Sequence, residues 1–155
     1  MGAPLDAAPA RPPDPMTDAL SALADDFQAV PEAMRLELLL EQAMQFPPLP
    51  ERYRAARDAG MGRVHECQAE VYFFPELADD GVHLWADIPA EAPTQRALVG
   101  ILMRTYDGAT PDEVAAIPDD LLRVLGVDRL LGVQRQIGFA GVLRRLKHGV
   151  AEASA

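Results

Sequence analysis

The stretch "QAEVYFFPELADDGVHLWAD", residues 68–87, decides the fold. From Gln68 the hydrophobic period is two: Ala69, Val71 and Phe73 alternate with Gln68, Glu70 and Tyr72, the pattern of a half-buried strand. "PELADDG" (75–81) reads as a hairpin loop, with Gly81 supplying a permissive backbone. Val82, Leu84 and Ala86 then alternate with His83, Trp85 and Asp87 in a second strand. A third short strand is compatible with the chain, but no segment marks it.

Everything outward from this hairpin reads as helix. On the N-terminal side, Thr17 is an N-cap followed by Leu20, Leu23, Ala24 and Phe27 at helical spacing. Pro31 opens a second helix with Leu36, Leu39, Leu40 and Ala43 on its buried side, and "FPPLP" (46–50) ends it. Residues 51–66 read as a helical fragment and then a mobile, Gly-containing loop leading to Cys67. On the C-terminal side, Thr94 is a candidate cap for a helix carrying Leu98, Ile101 and Leu102, stopped by Gly108. "TPDEV" (110–114) is a capping box with Pro at the first helical position. "IPDDLLRVLG" is a short helix closed by Gly126, and a last helix begins near Gln134 with Phe139, Val142, Leu143, Leu146 and Val150 as its stripe. The expected class is α+β: a small antiparallel sheet of two to three strands covered by several helices. The expected layout is a Pro- and Ala-rich disordered tail (1–16, with Met16 an alternative start), one domain (17–150) and a short C-terminal tail (151–155).

Composition narrows the function classes. With 24 Asp and Glu against 14 Lys and Arg, the net charge of -10 opposes a polyanionic partner, so nucleic acid is not expected. No apolar run approaches a membrane span, and the N-terminus has neither a signal-peptide core nor a myristoylation signal. A single cysteine, Cys67, then fits a reducing, cytoplasmic compartment where a thiol stays free.

Cys67 stands where the loop meets the strand, in "RVHECQAEVYFF" (63–74). A free cysteine is at home as a small buried hydrophobe; a cysteine at the end of a Gly-containing loop is also placed for presentation at a surface. Arg63 and His65 would lower its pKa, and Glu66 and Glu70 would raise it. His65 with Cys67 lacks the partners that complete a zinc site. "GILMRTYDGATP" and "DAGMGR" lack the spacing and the Lys of a phosphate loop. Asp79, Asp80 and Glu76 read as a solvated hairpin tip, without the ligand spacing of a calcium loop.

Four blocks, taken together, resemble the SufE family. "ECQAEV" (66–71) is similar to the Cys-Gln-Ser-Gln-Val type of motif around the family's acceptor cysteine. "ALVGILMRTYDGATPDEV" (97–114) resembles its apolar helix, Asp-Gly turn and Thr-Pro helix start. In "LGVQRQIGFAGVLRRLK" (131–147), Arg135 and Gly138 match an Arg-x-x-Gly at the start of the final helix. "FPPLPE" (46–51) resembles a Leu-Pro-Pro-Leu bridge. The likeness runs from about residue 18 to 148. It departs at Glu66, where many members carry Gly, at Ala69 and Glu70, which replace Ser and Gln, and in "IPAEAPTQR", which replaces a Ser-Asp approach.

The resemblance implies a SufE/IscU-like fold and a sulfur shuttle. A SufE-like protein takes persulfide sulfur from a PLP-dependent, SufS-type cysteine desulfurase onto its own cysteine, stimulates that enzyme, and passes the sulfur to a SufB-containing SufBCD scaffold that builds iron–sulfur clusters. Cys67 is then the acceptor. The PLP resides on the partner and no cofactor is expected here. His65, Glu66, Gln68 and Arg135 are candidates for loop and partner contacts, with Gln68 expected to bond the loop and Arg135 to have either a buried carboxylate or a docking role. Three other readings stand beside this one: a CsdE-like acceptor for another desulfurase, a cysteine-dependent hydrolase or peroxidase with a His or Arg clamped on the thiol, and a structural adaptor with an incidental cysteine.

Overall fold

A computed structural model describes residues 17–155. The disordered tail expected at 1–16, with the alternative start at Met16, lies outside the described residues. The elements are α1 (Asp18–Gln28), α2 (Glu32–Gln42), α3 (Arg54–Asp58), β1 (Tyr72–Ala78), β2 (Gly81–Asp87), α4 (Pro93–Thr105), α5 (Pro111–Ala115), α6 (Leu121–Val124) and α7 (Val133–Ala153). Short 3-10 turns at 43–45, 51–53 and 128–130 link them.

The two strands form an antiparallel hairpin, and among the described residues no third strand joins it. The strand at 72 begins later than its alternation predicts and runs further, through Pro75 to Ala78. Only Asp79 and Asp80 remain as the turn, with Ala78 paired to Gly81. Pro75 is tolerated inside β1 because a two-stranded ribbon leaves every second N–H unpaired. Gly81 has φ +120°, and a Cβ there would run into the Gly108 carbonyl oxygen, so the turn after α4 closes directly on the hairpin. A backbone hydrogen bond spans that contact, donated by the Gly108 nitrogen to the Val82 oxygen at 2.7 Å.

The core lies where α4 runs beneath the hairpin. Ten of its thirteen residues are buried, so it reads as apolar nearly all round, the pattern of a central helix. Phe73, Val82, Leu84 and Ala86 from the hairpin, Leu20 and Phe27 from α1, and Phe139, Val142 and Leu146 from α7 close over it. Thr17 caps α1 and Thr110 with Glu113 forms the expected capping box; each cap is worth about 1 kcal/mol. Thr94 is not a cap. Pro93 takes the first helical position, where its missing N–H costs nothing, and Thr94 is buried inside the helix. Leu36 is exposed, because only Leu39 of α2 is fully buried against the core. The tail expected at 151–155 is helical as far as Ala153: Ala151, Glu152 and Ala153 favour helix, and Glu152 pairs with His148 one turn back.

His83 on β2 ties two loops together. Its Nε2 lies 2.8 Å from Asp80 and its Nδ1 2.7 Å from Asp107. These two carboxylates, Asp80 first, raise its pKa against the opposing effect of burial. A raised folded-state pKa means the imidazolium stabilises the fold fully below the unfolded value of about 6.5, and that contribution fades as pH rises through the folded pKa. In urea melts at pH 6 and pH 8, His83→Gln should narrow the stability difference between the two pH values. An unchanged difference would remove His83 from the account.

Candidate functional site

The thiol of Cys67 sits in a short loop that is pinched at its base. The Val64 nitrogen donates to the Val71 oxygen at 2.8 Å, and the Phe73 nitrogen donates to Gly62 at 2.8 Å. Within the loop the Cys67 nitrogen reaches the Val64 oxygen at 3.2 Å. The segment expected to be mobile is therefore anchored at both ends. Its side chains sort by polarity. Val64, Cys67 and Val71 turn inward, with Cys67 only 4% exposed, while His65, Glu66, Gln68 and Glu70 face solvent. Surface presentation, the expectation from its position, is not the state seen: the thiol is covered.

What covers it is a helix stripped of side chains at the points of contact. A Cβ at Gly138 of α7 would lie 2.9 Å from the Cys67 Sγ and 3.5 Å from its Cα. A Cβ at Gly141 would lie 2.7 Å from a Glu66 carboxylate oxygen, and one at Gly149 would lie 2.9 Å from Pro75. Glycine in a helix interior costs roughly 1 kcal/mol relative to alanine. Three on one face mark the line along which α7 lies flat on the loop and β1. Gln95, buried in α4, approaches the same point from the other side, 3.4 Å from the Gly138 position.

The electrostatics keep the thiol protonated. Burial pushes its pKa up to about 11, the Glu66 carboxylate adds to the rise, and Arg63 opposes it. Glu66 itself is held below the usual carboxylate range by its own backbone N–H and, more weakly, by Arg144 at 3.5 Å. Residue charges alone left the direction of the shift open; burial decides it. A rise of two pKa units removes about 99% of the thiolate, and greater intrinsic nucleophilicity returns at most about tenfold. At neutral pH, native Cys67 should thus react with iodoacetamide at least about tenfold more slowly than the urea-unfolded chain, with a rate still climbing toward pH 11. A native rate that levels off near pH 8.5, about the ordinary thiol pKa, would contradict the covered state.

The other expected site residues gather at the same end of α7. Arg135 lies one turn before Gly138, exposed, and its side chain makes no hydrogen bond or ion pair among the described residues. Of its two expected roles, a buried carboxylate partner is not found among the described residues. Gln68 does not bond the loop, as expected of it, but lines a cleft of about 180 Å³ with Ala69, Gln95 and Arg135. His65 is exposed and does not touch the thiol, so the clamped base that a hydrolase needs is missing among the described residues. No group of three metal-ligating side chains is found among them, and no helix is long and apolar enough to cross a membrane. Gly141 faces Glu66, Gln95 approaches the Gly138 position, and Val133 and Ile137 stand exposed on the first turns of α7. Sequence reasoning missed all four; Gly141 alone carried a signal, as an isolated glycine inside a helical pattern.

A lone cysteine folded under a glycine-faced helix defines a thiol protein without its own base or metal among the described residues. Comparison with known proteins gives the family. Residues 21–150 match the model for SufE, described as an Fe-S metabolism associated domain. The chain is 33% identical over 147 residues to uncharacterised SufE-like proteins from two strains of Mycobacterium tuberculosis, covering 94% of this chain and 98% of those. It is 26% identical over 113 residues to a SufE-like protein of Synechocystis, covering 73% of this chain and 67% of that one. The solution structure of a hypothetical protein from Thermus thermophilus superposes with a TM-score of 0.78 at 29% identity, covering 90% of this chain and 98% of that one. The chain belongs to the SufE family.

Proposed function

We propose that this protein is a sulfur carrier of iron–sulfur cluster assembly, working in the cytoplasm. Cys67 accepts sulfur from a PLP-dependent cysteine desulfurase of the SufS type and relays it to a SufB-containing scaffold; the PLP stays with the donor. The step is an exchange. The Cys67 thiolate attacks the outer sulfur of the donor persulfide, a new S–S bond forms, the donor S–S bond breaks, and the donor cysteine leaves as thiolate. No net oxidation occurs, so the carrier needs no redox partner and no resolving cysteine.

The observation that carries this reading is the environment of Cys67: the only thiol of the chain, covered to 4% exposure under Gly138, with its pKa pushed up to about 11. Such a thiol is inert to stray electrophiles and becomes nucleophilic only when a partner lifts its loop from α7. Val64, Val71 and Phe73, buried apolar residues of the same core as Cys67, would help shield a loaded sulfur between encounters. A catalytic cysteine working alone is instead activated in its resting state, with a lowered pKa.

The test is to add the protein to a SufS-type desulfurase with free cysteine and follow alanine formation. Faster turnover with the wild-type protein and none with Cys67→Ser supports a carrier that drains the donor. Stimulation that survives in full without the thiol would favour an adaptor.

A further inference from the structure

Between β1 and α7 runs a groove of about 830 Å³ that the sulfur exchange itself does not use. Its floor is apolar, built from Phe73, Phe74 and Pro75, and Met61 stands at its edge, 62% exposed. Its rim carries Arg144 and His148, both on α7, and His148 is already paired at 3.0 Å with Glu152, which also lines the groove, so Arg144 is the cation open to a newcomer. Glu66, the neighbour of Cys67, also lines it.

The charge of the chain is divided at this helix. Residues 1–128 hold 23 acidic and 9 basic residues, whereas residues 129–155 hold one acidic and five basic. No acidic residue occurs between Arg129 and Val150. A local cationic stripe on a strongly acidic body selects an acidic feature small enough to meet the stripe without meeting the rest. An anionic membrane would face the whole negative surface. A small inorganic anion would leave the aromatic floor unused. A short peptide segment satisfies both, and the volume suits a few side chains.

We propose that this groove docks an acidic segment of a protein partner, with one large apolar side chain on Phe73 and Phe74 and a carboxylate on Arg144, and that docking unlatches the Cys67 loop. The consequence for Cys67 rests on the carrier reading. The latch is Glu66. Its carboxylate lies over Gly141 and reaches Arg144 only at 3.5 Å, with the two side chains 39% and 68% exposed. A pair that long and that wet exchanges readily for another carboxylate. An incoming carboxylate that takes Arg144 releases Glu66 from its seat on Gly141, and Glu66 is joined directly to Cys67.

The probe is an acetylated, amidated decapeptide of glutamates around a central Trp-Leu pair, added to the full chain with no desulfurase present. Backbone amide NMR should show shifts concentrated at residues 61–75 and 141–152, and iodoacetamide should modify Cys67 about tenfold faster at saturation. Arg144→Glu should abolish both effects, and Glu66→Gln should raise the rate before any peptide is added. The proposal falls if the glutamine-for-glutamate peptide, inorganic phosphate or anionic phosphatidylglycerol vesicles act equally well, or if the peptide shifts lie elsewhere. Sulfur uptake from a desulfurase in a protein that ignores the peptide would keep the carrier and discard the groove.

Discussion

A Cys67→Ser protein should fold like the wild type and take up no sulfur. The change replaces one atom in a loop whose backbone bonds involve the Cys67 nitrogen and not its side chain. The hydroxyl takes a buried position where the sulfur makes no hydrogen bond, which costs up to about 1–3 kcal/mol. That loss is readable as a lowered melting temperature with an unchanged circular dichroism spectrum. A serine oxygen neither ionises near neutral pH nor bonds stably to a persulfide sulfur, so transfer should fall by about a thousandfold or more, to background. Cys67→Ala removes the hydroxyl penalty and should be equally inactive, separating chemistry from stability. Residual transfer above about a tenth of the wild-type rate in either variant would mean that another group carries the sulfur.

The second large effect belongs to Gly138, a residue with no chemistry. Alanine in a helix interior gains roughly 1 kcal/mol over glycine. Here its methyl carbon would lie 2.9 Å from a buried sulfur, which must shift, whereas the Cys67 Cα at 3.5 Å stays in ordinary contact. Gly138→Leu cannot be absorbed by a shift of a few tenths of an ångström. It should cost about 1–3 kcal/mol in overpacking and push the loop out, so that Cys67 alkylation rises about tenfold or more. The cycle Gly138→Ala with Cys67→Ala isolates the cause. With the sulfur gone the clash disappears and the helix gain remains, leaving a favourable coupling of about 0.5–3 kcal/mol in chemical denaturation. Additive effects would mean that Gly138 serves something other than room for the thiol.

Local rules and one long-range contact explain what the sequence revealed and what it hid. The hairpin was legible from Val71, Phe73, Val82, Leu84 and Ala86, because a period of two and a turn glycine are local signals. Its turn was shorter than "PELADDG" suggested, since a proline does not end a strand whose neighbour lies on one side only. Caps at Thr17 and Thr110 were legible because capping is local, and Thr94 misled because Pro93 already started that helix. Cys67 was singled out as the candidate, yet its burial was not foreseen. Burial comes from α7, far along the chain, and nothing in "HECQ" records what will lie above it. Arg135 was noticed as a cation at a helix start, where the dipole disfavours it; only the assembled structure shows it exposed and unpaired, among the described residues, in a cleft with Gln68 and Gln95.

One measurement tests the carrier most directly. The protein is mixed with a SufS-type desulfurase and free cysteine without reductant, then weighed intact and mapped by peptide fragmentation. The account predicts a gain of one sulfur atom, located on Cys67 and released by dithiothreitol. A protein that gains no mass while the desulfurase beside it is demonstrably loaded with persulfide would contradict it.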